Sequence, residues 1–302
     1  MAKSPDLIQQ EAGEAPAQPS SPAASPAARP LLSRGRARRR PEMLRIGGSI
    51  RPLPFIGLAA VMFVVLLGAW WLLSATHAIK PLFLPSPSTV WHTFIDQVKN
   101  GQLWADAHVS IIRILIGFAF ATVMAIPIGV LVGVYRFWEA LIEPLVDFIR
   151  YMPVVAFVPL TILWIGTGNS QKWLIIWIGT FFQQVLLIMD NTKRVPLDFV
   201  DIGRTLGLRD RAILRRIILP AAAPGIWDSM RISLGWAWTW LVLAELVAAT
   251  TGLGYRITTA QRYFETDLII AYILVLGVLG LVTDQVMKLI GRKLFRYAEE
   301  RR

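Results

Sequence analysis

The sequence predicts an all-α, polytopic membrane protein with six transmembrane helices and both termini in the cytoplasm. Three observations lead there. Of 302 residues, 55% are hydrophobic and the mean hydropathy is +0.52, more apolar side chain than a soluble domain of this length buries. Six apolar stretches approach or exceed the roughly 20 residues a helix needs to cross a bilayer core. The strongly basic segments fall between alternate crossings, as the preference for Lys and Arg on the cytoplasmic side requires.

Taken in order, residues 1–51 are rich in Pro, Ala, Ser and Arg and contain no apolar run. Such a segment cannot bury enough surface to offset its ordering entropy, so a disordered cytoplasmic tail is expected. It lacks the early apolar core of a secretory signal peptide. The cluster Arg34, Arg36, Arg38, Arg39 and Arg40 is expected to hold the tail at the membrane surface. Residues 52–302 then form one transmembrane domain.

The first crossing, Leu53–Ser74, carries no charge, and the second, Val109–Val134, has Arg113 near its start. Between them Ser86-Pro87-Ser88 reads as a turn into an amphipathic helix around Val90–Val98, lying on the outer membrane surface. The third crossing, Leu141–Ile165, is irregular: Pro144, Pro153 and Pro159 interrupt it, with Asp147 and Arg150 inside. Trp173–Met189, Ile226–Thr250 and Leu268–Ile290 complete the set. In the second crossing Gly129 with Gly133, and Gly117 with Ala121, are small-residue steps that let another helix approach closely.

Loop charge sets the orientation. From Asn191 to Leu219 there are seven basic residues against Asp198, Asp201 and Asp210, a net of +4, whereas Ala75–His108 balances to zero. Lys288, Arg292, Lys293, Arg296, Arg301 and Arg302 make the C-terminal end basic as well. This pattern also accounts for the formal charge of +11, through topology and anionic headgroups, so no nucleic-acid partner is expected.

Several chemistries are excluded. With no cysteine there is no disulfide, thiolate nucleophile or Cys-ligated metal. His77, His92 and His108 stand fifteen and sixteen residues apart, a spacing that fits no zinc motif. No phosphate-binding G-x-x-x-x-G-K-[ST] loop and no G-x-S-x-G elbow occurs. If ATP drives this protein, another chain hydrolyses it, so neither enzymatic activity nor a bound cofactor is expected here.

Charges inside the crossings are the next clue, because one at a helix centre costs about 2.5–3.5 kcal/mol and persists only with a partner or a purpose. Asp228 with Arg231 and Asp284 with Lys288 have the spacing of local ion pairs. Glu245 has no local partner. Arg150 precedes the Tyr151-Met152-Pro153 break, and backbone broken at membrane depth faces protein or a water-filled cavity. Arg150 therefore either faces an anion pathway or pairs with Glu143, Asp147 or Glu245. With Pro153, Gln183, Gln184 and Glu245 it makes up the candidate pathway set.

The segment 196–220 is different in character. In DIGRTLGLRDRAILRRIILP, Ile202, Leu206, Ile213, Leu214 and Ile217 recur at helical spacing among basic residues. This predicts two short amphipathic helices, with Gly207 at the turn where positive φ is needed and Pro220 ending the second. Read alone, the pair is either a docking element or a lipid-surface anchor.

The order Asp201, Gly207, Ile217, Leu219, Pro220 resembles the E-A-A-x3-G-x9-I-x-L-P loop of ATP-binding-cassette importer permeases, with Asp201-Ile202-Gly203 in place of Glu-Ala-Ala. The stretches IRYMPVVAFVPLTILWIGTGNSQK, LGWAWTWLVLAEL and TTGLGYRI resemble the nitrate/sulfonate/taurine/bicarbonate branch of that family, although Tyr151 stands where a proline or small residue is usual. The resemblance covers about residues 53 to 295. It implies a type I importer permease of MetI-like fold. Asp201, Gly203, Leu206, Gly207, Ile217, Leu219 and Pro220 would then form a coupling helix seated in an ATPase subunit. It implies two ATPase subunits holding ATP and Mg, a second permease copy, and an extracytoplasmic substrate-binding protein. An ion-coupled secondary transporter and a structural membrane anchor are the alternatives, the former calling for an ionisable site at mid-membrane.

Overall fold

The computed structural model describes residues 52–76 and 78–299, so the arginine-rich tail, His77, Arg301 and Arg302 lie outside the described residues. Two units are distinguished, Met1–Ala60 and Val61–Arg302. In the first, residues 52–60 are described and are helical. The second contains, among the described residues, helices and no strand.

α1 (Pro52–Ala75) is apolar all round and buries none of its span within the chain, as expected of a helix facing lipid or another subunit. α2 (Pro87–Lys99) starts where the Ser86 hydroxyl accepts the Thr89 N–H, with Pro87 in the first turn. That is the helix the turn signal predicts. α3 (Gln102–Val134) and α6 (Asn169–Lys193) form the spine of the core. A Cβ placed on Gly117 would stand 2.8 Å from Ile176, one on Gly129 2.7 Å from Ile188, and one on Gly133 2.7 Å from Thr192. The sequence separation is the same in all three pairs, so α3 and α6 run parallel in fixed register. The small-residue steps are there to let them touch.

The third crossing is broken outright. α4 (Arg136–Arg150) and α5 (Phe157–Ile165), with a single 3₁₀ turn Val154–Ala156 between them, meet at 79°. Pro153 has no N–H to continue α4 and its ring excludes the helical carbonyl behind it, which is why the bend falls there. The two halves are joined through residues 151–153, which carry no regular structure.

α7 (Leu197–Thr205) and α8 (Asp210–Ile213) follow α6. Here the sequence expectation needs correcting. Pro220 does not end the second piece: α8 passes through a π turn, Leu214–Ile218, straight into α9 (Leu219–Ala248). A π turn widens the ladder just ahead of Pro220, where an α turn would set the proline ring against the carbonyl four residues back. Pro224 in turn leaves the Pro220 carbonyl without its helical donor, and the Tyr297 hydroxyl supplies one at 2.8 Å.

α10 (Leu253–Arg262) is bent by 49° from α9, and α11 (Thr266–Leu294) returns along α9, followed by the short α12 (Arg296–Glu299). α9 and α11 are antiparallel, joined by Trp227 Nε1 to the Met287 carbonyl at 2.9 Å, Arg231 to Asp284 at 3.1 Å, and Trp238 Nε1 to Thr283 at 3.1 Å. Asp284 thus takes Arg231 from the facing helix rather than the local Lys288, and Arg231 also reaches Asp228 at 3.8 Å.

Among the described residues, four helices are long and apolar enough to cross a membrane unaided, and six crossings result when each bent pair counts as one. The main core lies where α3, α4, α6 and α9 meet, around Ile114, Ala125, Ile188 and Leu241.

Candidate functional site

Three polar regions interrupt this apolar bundle, and each draws on several helices. The first is at the α7–α8 turn. Gly207 has φ +73°, its N–H reaches the Arg204 carbonyl at 2.9 Å, and the Leu208 N–H reaches the Gly203 carbonyl at 3.0 Å. That pair of bonds closes α7 in a Schellman turn, a geometry that strains any residue with a Cβ. Gly203 is buried and serves a different purpose: a Cβ there would stand 2.8 Å from Ile217 and 3.2 Å from Ile213. Its absence lets α7 lie against the α8 segment. Leu206 is 72% exposed and Ile202 56%, so apolar side chains project beside the charged Asp201, which pairs with Arg204 at 3.5 Å. Leu219 is partly buried and Pro220 exposed, both at the root of α9.

A cleft of about 1040 Å³ lies behind this turn, walled by α4, the end of α6 and α7. Lys193 ties two of its walls, reaching Glu139 at 2.7 Å and Glu143 at 3.5 Å. The α7–α8 hairpin, α6 and α4 are therefore linked at one end of the bundle.

The second region is the break between α4 and α5. Arg150, Pro153 and Gln183 line a common cleft of about 350 Å³, together with Tyr151, Phe182, Trp236 and Trp240. The Arg150 Nε meets Asp147 at 3.0 Å, so of the three partners open to it from sequence it takes the nearest. Its Nη2 donates to the Tyr151 hydroxyl at 3.2 Å and its guanidinium lies 4.8 Å from the Tyr151 ring centroid. Gln184 is not in the cleft: it is 1% exposed, and its amide has no hydrogen-bond partner among the described residues.

The third region sits at the far end of α9, and it holds Glu245. The acid that lacks a local partner in sequence is fully buried against Arg113 of α3, at 2.8 Å. The Ser110 hydroxyl (2.8 Å) and the Gly254 N–H (2.8 Å) also donate to it. Arg113 is satisfied in turn by the Asn169 side chain, the Thr251 carbonyl and the Thr251 hydroxyl. Beside them Asp106, 3% exposed, accepts from the Gly252 N–H, from Arg256 at 3.0 Å and from Tyr272 at 3.2 Å. The Leu253 N–H donates to Ser110 at 2.9 Å. These contacts supply what the start of α10 lacks. A helix begins with N–H groups that have no partner in the helix, and here they are capped by side chains from α3 and α9. A Cβ on Gly252 or Gly254 would collide with Glu245, which explains the Gly-Leu-Gly spacing. Lys172, 1% exposed, adds two more cross-links, to the Thr167 carbonyl and to the Ala248 carbonyl at 2.6 Å.

Sequence reasoning found Glu245 and missed Asp106, Ser110 and Lys172 as its surroundings. Their signal was weak: three polar residues near the ends of apolar runs, with partners on other helices, those of Asp106 and Ser110 more than a hundred positions away and that of Lys172 76 positions away. The site also bears on mechanism. An ion-coupled carrier needs an acid that can release and take up its ion, and Glu245 is locked by an arginine and two further donors.

A parallel pair at the core, a crossing broken at a proline, and a helical hairpin feeding directly into a spanning helix define a multi-pass helical permease of the importer type. The chain belongs to the family of binding-protein-dependent transport system inner membrane components, whose model matches residues 125–296. A probable ABC transporter permease protein of Brucella abortus (strain 2308) is 38% identical over 244 residues, covering 81% of this chain and 96% of that protein. The putative aliphatic sulfonates transport permease protein SsuC of Bacillus subtilis (strain 168) is 31% identical, covering 77% of this chain and 84% of its own. The taurine transport system permease protein TauC of Escherichia coli (strain K12) is 30% identical, covering 76% and 86% respectively. Among solved structures, a chain of the MetNI methionine ABC transporter, in inward-facing conformations, superposes with a TM-score of 0.57 at 18% identity. It covers 69% of this chain and 98% of that one, a likeness of fold. Membership implies, in general terms, an ATPase and a substrate-binding protein as partners, and a multi-pass place in the inner membrane.

Proposed function

We propose that this chain lines the import pathway for a small anion of the sulfonate, taurine, nitrate or bicarbonate type and transmits the work of separate ATPases through the α7–α8 hairpin. The observation that carries this reading is the turn at Gly207. It presents Leu206 and Ile202 outward at the tip of a charged hairpin, and that hairpin runs without interruption into α9. A displacement at the tip is passed to a membrane helix as a rigid lever. Asp201, Gly203, Leu206, Gly207, Ile217, Leu219 and Pro220 are its docking and packing residues.

The hairpin, the basic tail and the C-terminal end face the cytoplasm on this reading, as loop charge suggests. The chain itself is non-catalytic, and ATP and Mg belong to two partner ATPase subunits. Two copies of the permease enclose the pathway, and an extracytoplasmic binding protein delivers the solute. Arg150, Pro153 and Gln183 face the pathway. Gln184 and Glu245, also candidates from sequence, are assigned to the helix interior, where they hold the bundle together.

Two variants test the lever. Gly207→Val forces a β-branched residue into the left-handed region, and Leu206→Asp replaces the exposed apolar tip with a charge. Both are expected to lose co-purification of the ATPase and ATP-dependent uptake into vesicles while the permease still reaches the membrane. Normal ATPase association and uptake in both would remove the hairpin from coupling.

A further inference from the structure

The cleft at the α4–α5 break has a chemistry more specific than a passage for anions in general. Its cation is Arg150, whose Nη1 makes no hydrogen bond or ion pair among the described residues while Nε and Nη2 hold Asp147 and Tyr151. A guanidinium edge so placed is suited to a sulfonate or carboxylate oxygen. The rest of the wall is mostly apolar, with Tyr151, Phe182, Trp236 and Trp240 as its aromatic part. Trp236 is 48% exposed, and Trp240 and Phe182 stand beside it, with the Gln183 side chain adding a neutral donor and acceptor.

The Trp240 ring is deliberately accommodated. It lies over Gly179, where any Cβ would stand 2.5 Å from the indole. Its Nε1 is enclosed without an acceptor among the described residues, as are those of Trp173 and Trp177. A fully hydrated inorganic ion gains nothing from two indoles and a phenyl ring, whereas an alkyl or aryl body gains apolar contact and ring stacking.

Resting on the permease reading above, we infer that this cleft is a transit site for an organic anion. Arg150 takes the sulfonate or carboxylate head, Trp236, Trp240 and Phe182 hold an alkyl or planar body, and Gly179 positions the Trp240 ring. Nitrate and bicarbonate lack the body this wall is built for. The volume of about 350 Å³ admits one such molecule at a time.

The chain has no cysteine, so a single one reports on the cleft. Gln183→Cys, with Met152→Cys as a second reporter, is placed in the complete complex with its ATPase and binding protein in vesicles. Labelling of that cysteine by the anionic reagent methanethiosulfonate ethylsulfonate is timed with 1-pentanesulfonate, benzenesulfonate, nitrate or bicarbonate at equal ionic strength. The organic sulfonates are expected to slow labelling about two- to tenfold, the range that one or two aromatic contacts supply. The inorganic ions are expected to leave it unchanged, and Trp236→Ala to abolish the protection. Arg150→Gln is expected to slow the anionic reagent relative to neutral methyl methanethiosulfonate.

Equal protection by nitrate, no protection by any anion, or protection indifferent to Trp236→Ala each overturns the inference. ATP-driven uptake by the same vesicles separates the two levels. Uptake without cleft protection leaves the permease reading standing and the transit site refuted, and a complex that imports nothing refutes both.

Discussion

Arg113 and Glu245 are each almost wholly enclosed, and each supplies the other's countercharge. Removing one member of such a pair strands a charge, which costs about 3–5 kcal/mol, far more than the net worth of the intact pair. Arg113→Met is therefore expected to lower the thermal unfolding midpoint of the purified protein sharply. Adding Glu245→Gln should restore part of the loss, because the stranded charge is gone while Ser110 and Gly254 keep an acceptor. An unchanged midpoint in Arg113→Met would show that the pair is not the clamp described. Which residues are charged inside the membrane is plain in the sequence. Which one answers which is not: Arg113 and Glu245 lie on different helices, and local spacing rules reach only one turn. The same limit explains why Asp284 is matched to Arg231 by the fold and to Lys288 by spacing.

Among elements, the α3–α6 seam bears the tightest constraint, since three glycines set the distance between the helices. Gly129→Ala puts a methyl group 2.7 Å from the Ile188 Cβ and 2.8 Å from the Val185 carbonyl, where backbone must move. Overpacking of that kind costs about 1–3 kcal/mol. Gly277→Ala on α11 is the control: nothing lies within 4 Å of its Cβ, and alanine favours the helix by up to about 1 kcal/mol. The expected order of thermal stability is Gly277→Ala at or above wild type, with Gly129→Ala well below. The reverse order would mean that the seam is not closely packed. Sequence disclosed this seam as small residues four apart, and disclosed the Gly207 turn for the same reason: both depend on one residue type at one spacing. It did not disclose α10. That helix is short, and its N–H groups are capped by residues of α3 and α9 that no local signature foretells.

For the whole molecule, alternating loop charge predicts an orientation of the bundle, and the cysteine-free chain makes it measurable. In intact cells Ser88→Cys, at the exposed start of α2, is expected to react with a membrane-impermeant maleimide. Arg209→Cys, exposed between α7 and α8, is expected to react only after the membrane is opened. Labelling of Arg209→Cys in sealed cells would invert the topology and remove the hairpin from the ATPase side. By itself the sequence determined the class, the number of crossings and the position of the hairpin, and it predicts their orientation. These follow from properties summed along the chain, namely apolar length, net loop charge and the residue types a turn will accept. Tertiary structure alone decided that Arg150, Gln183, Trp236 and Trp240 share one cleft, that α8 runs on into α9, and that Glu245 pairs with Arg113. Those outcomes depend on which helix faces are brought together, and pairings between distant stretches leave no periodic trace in any one of them.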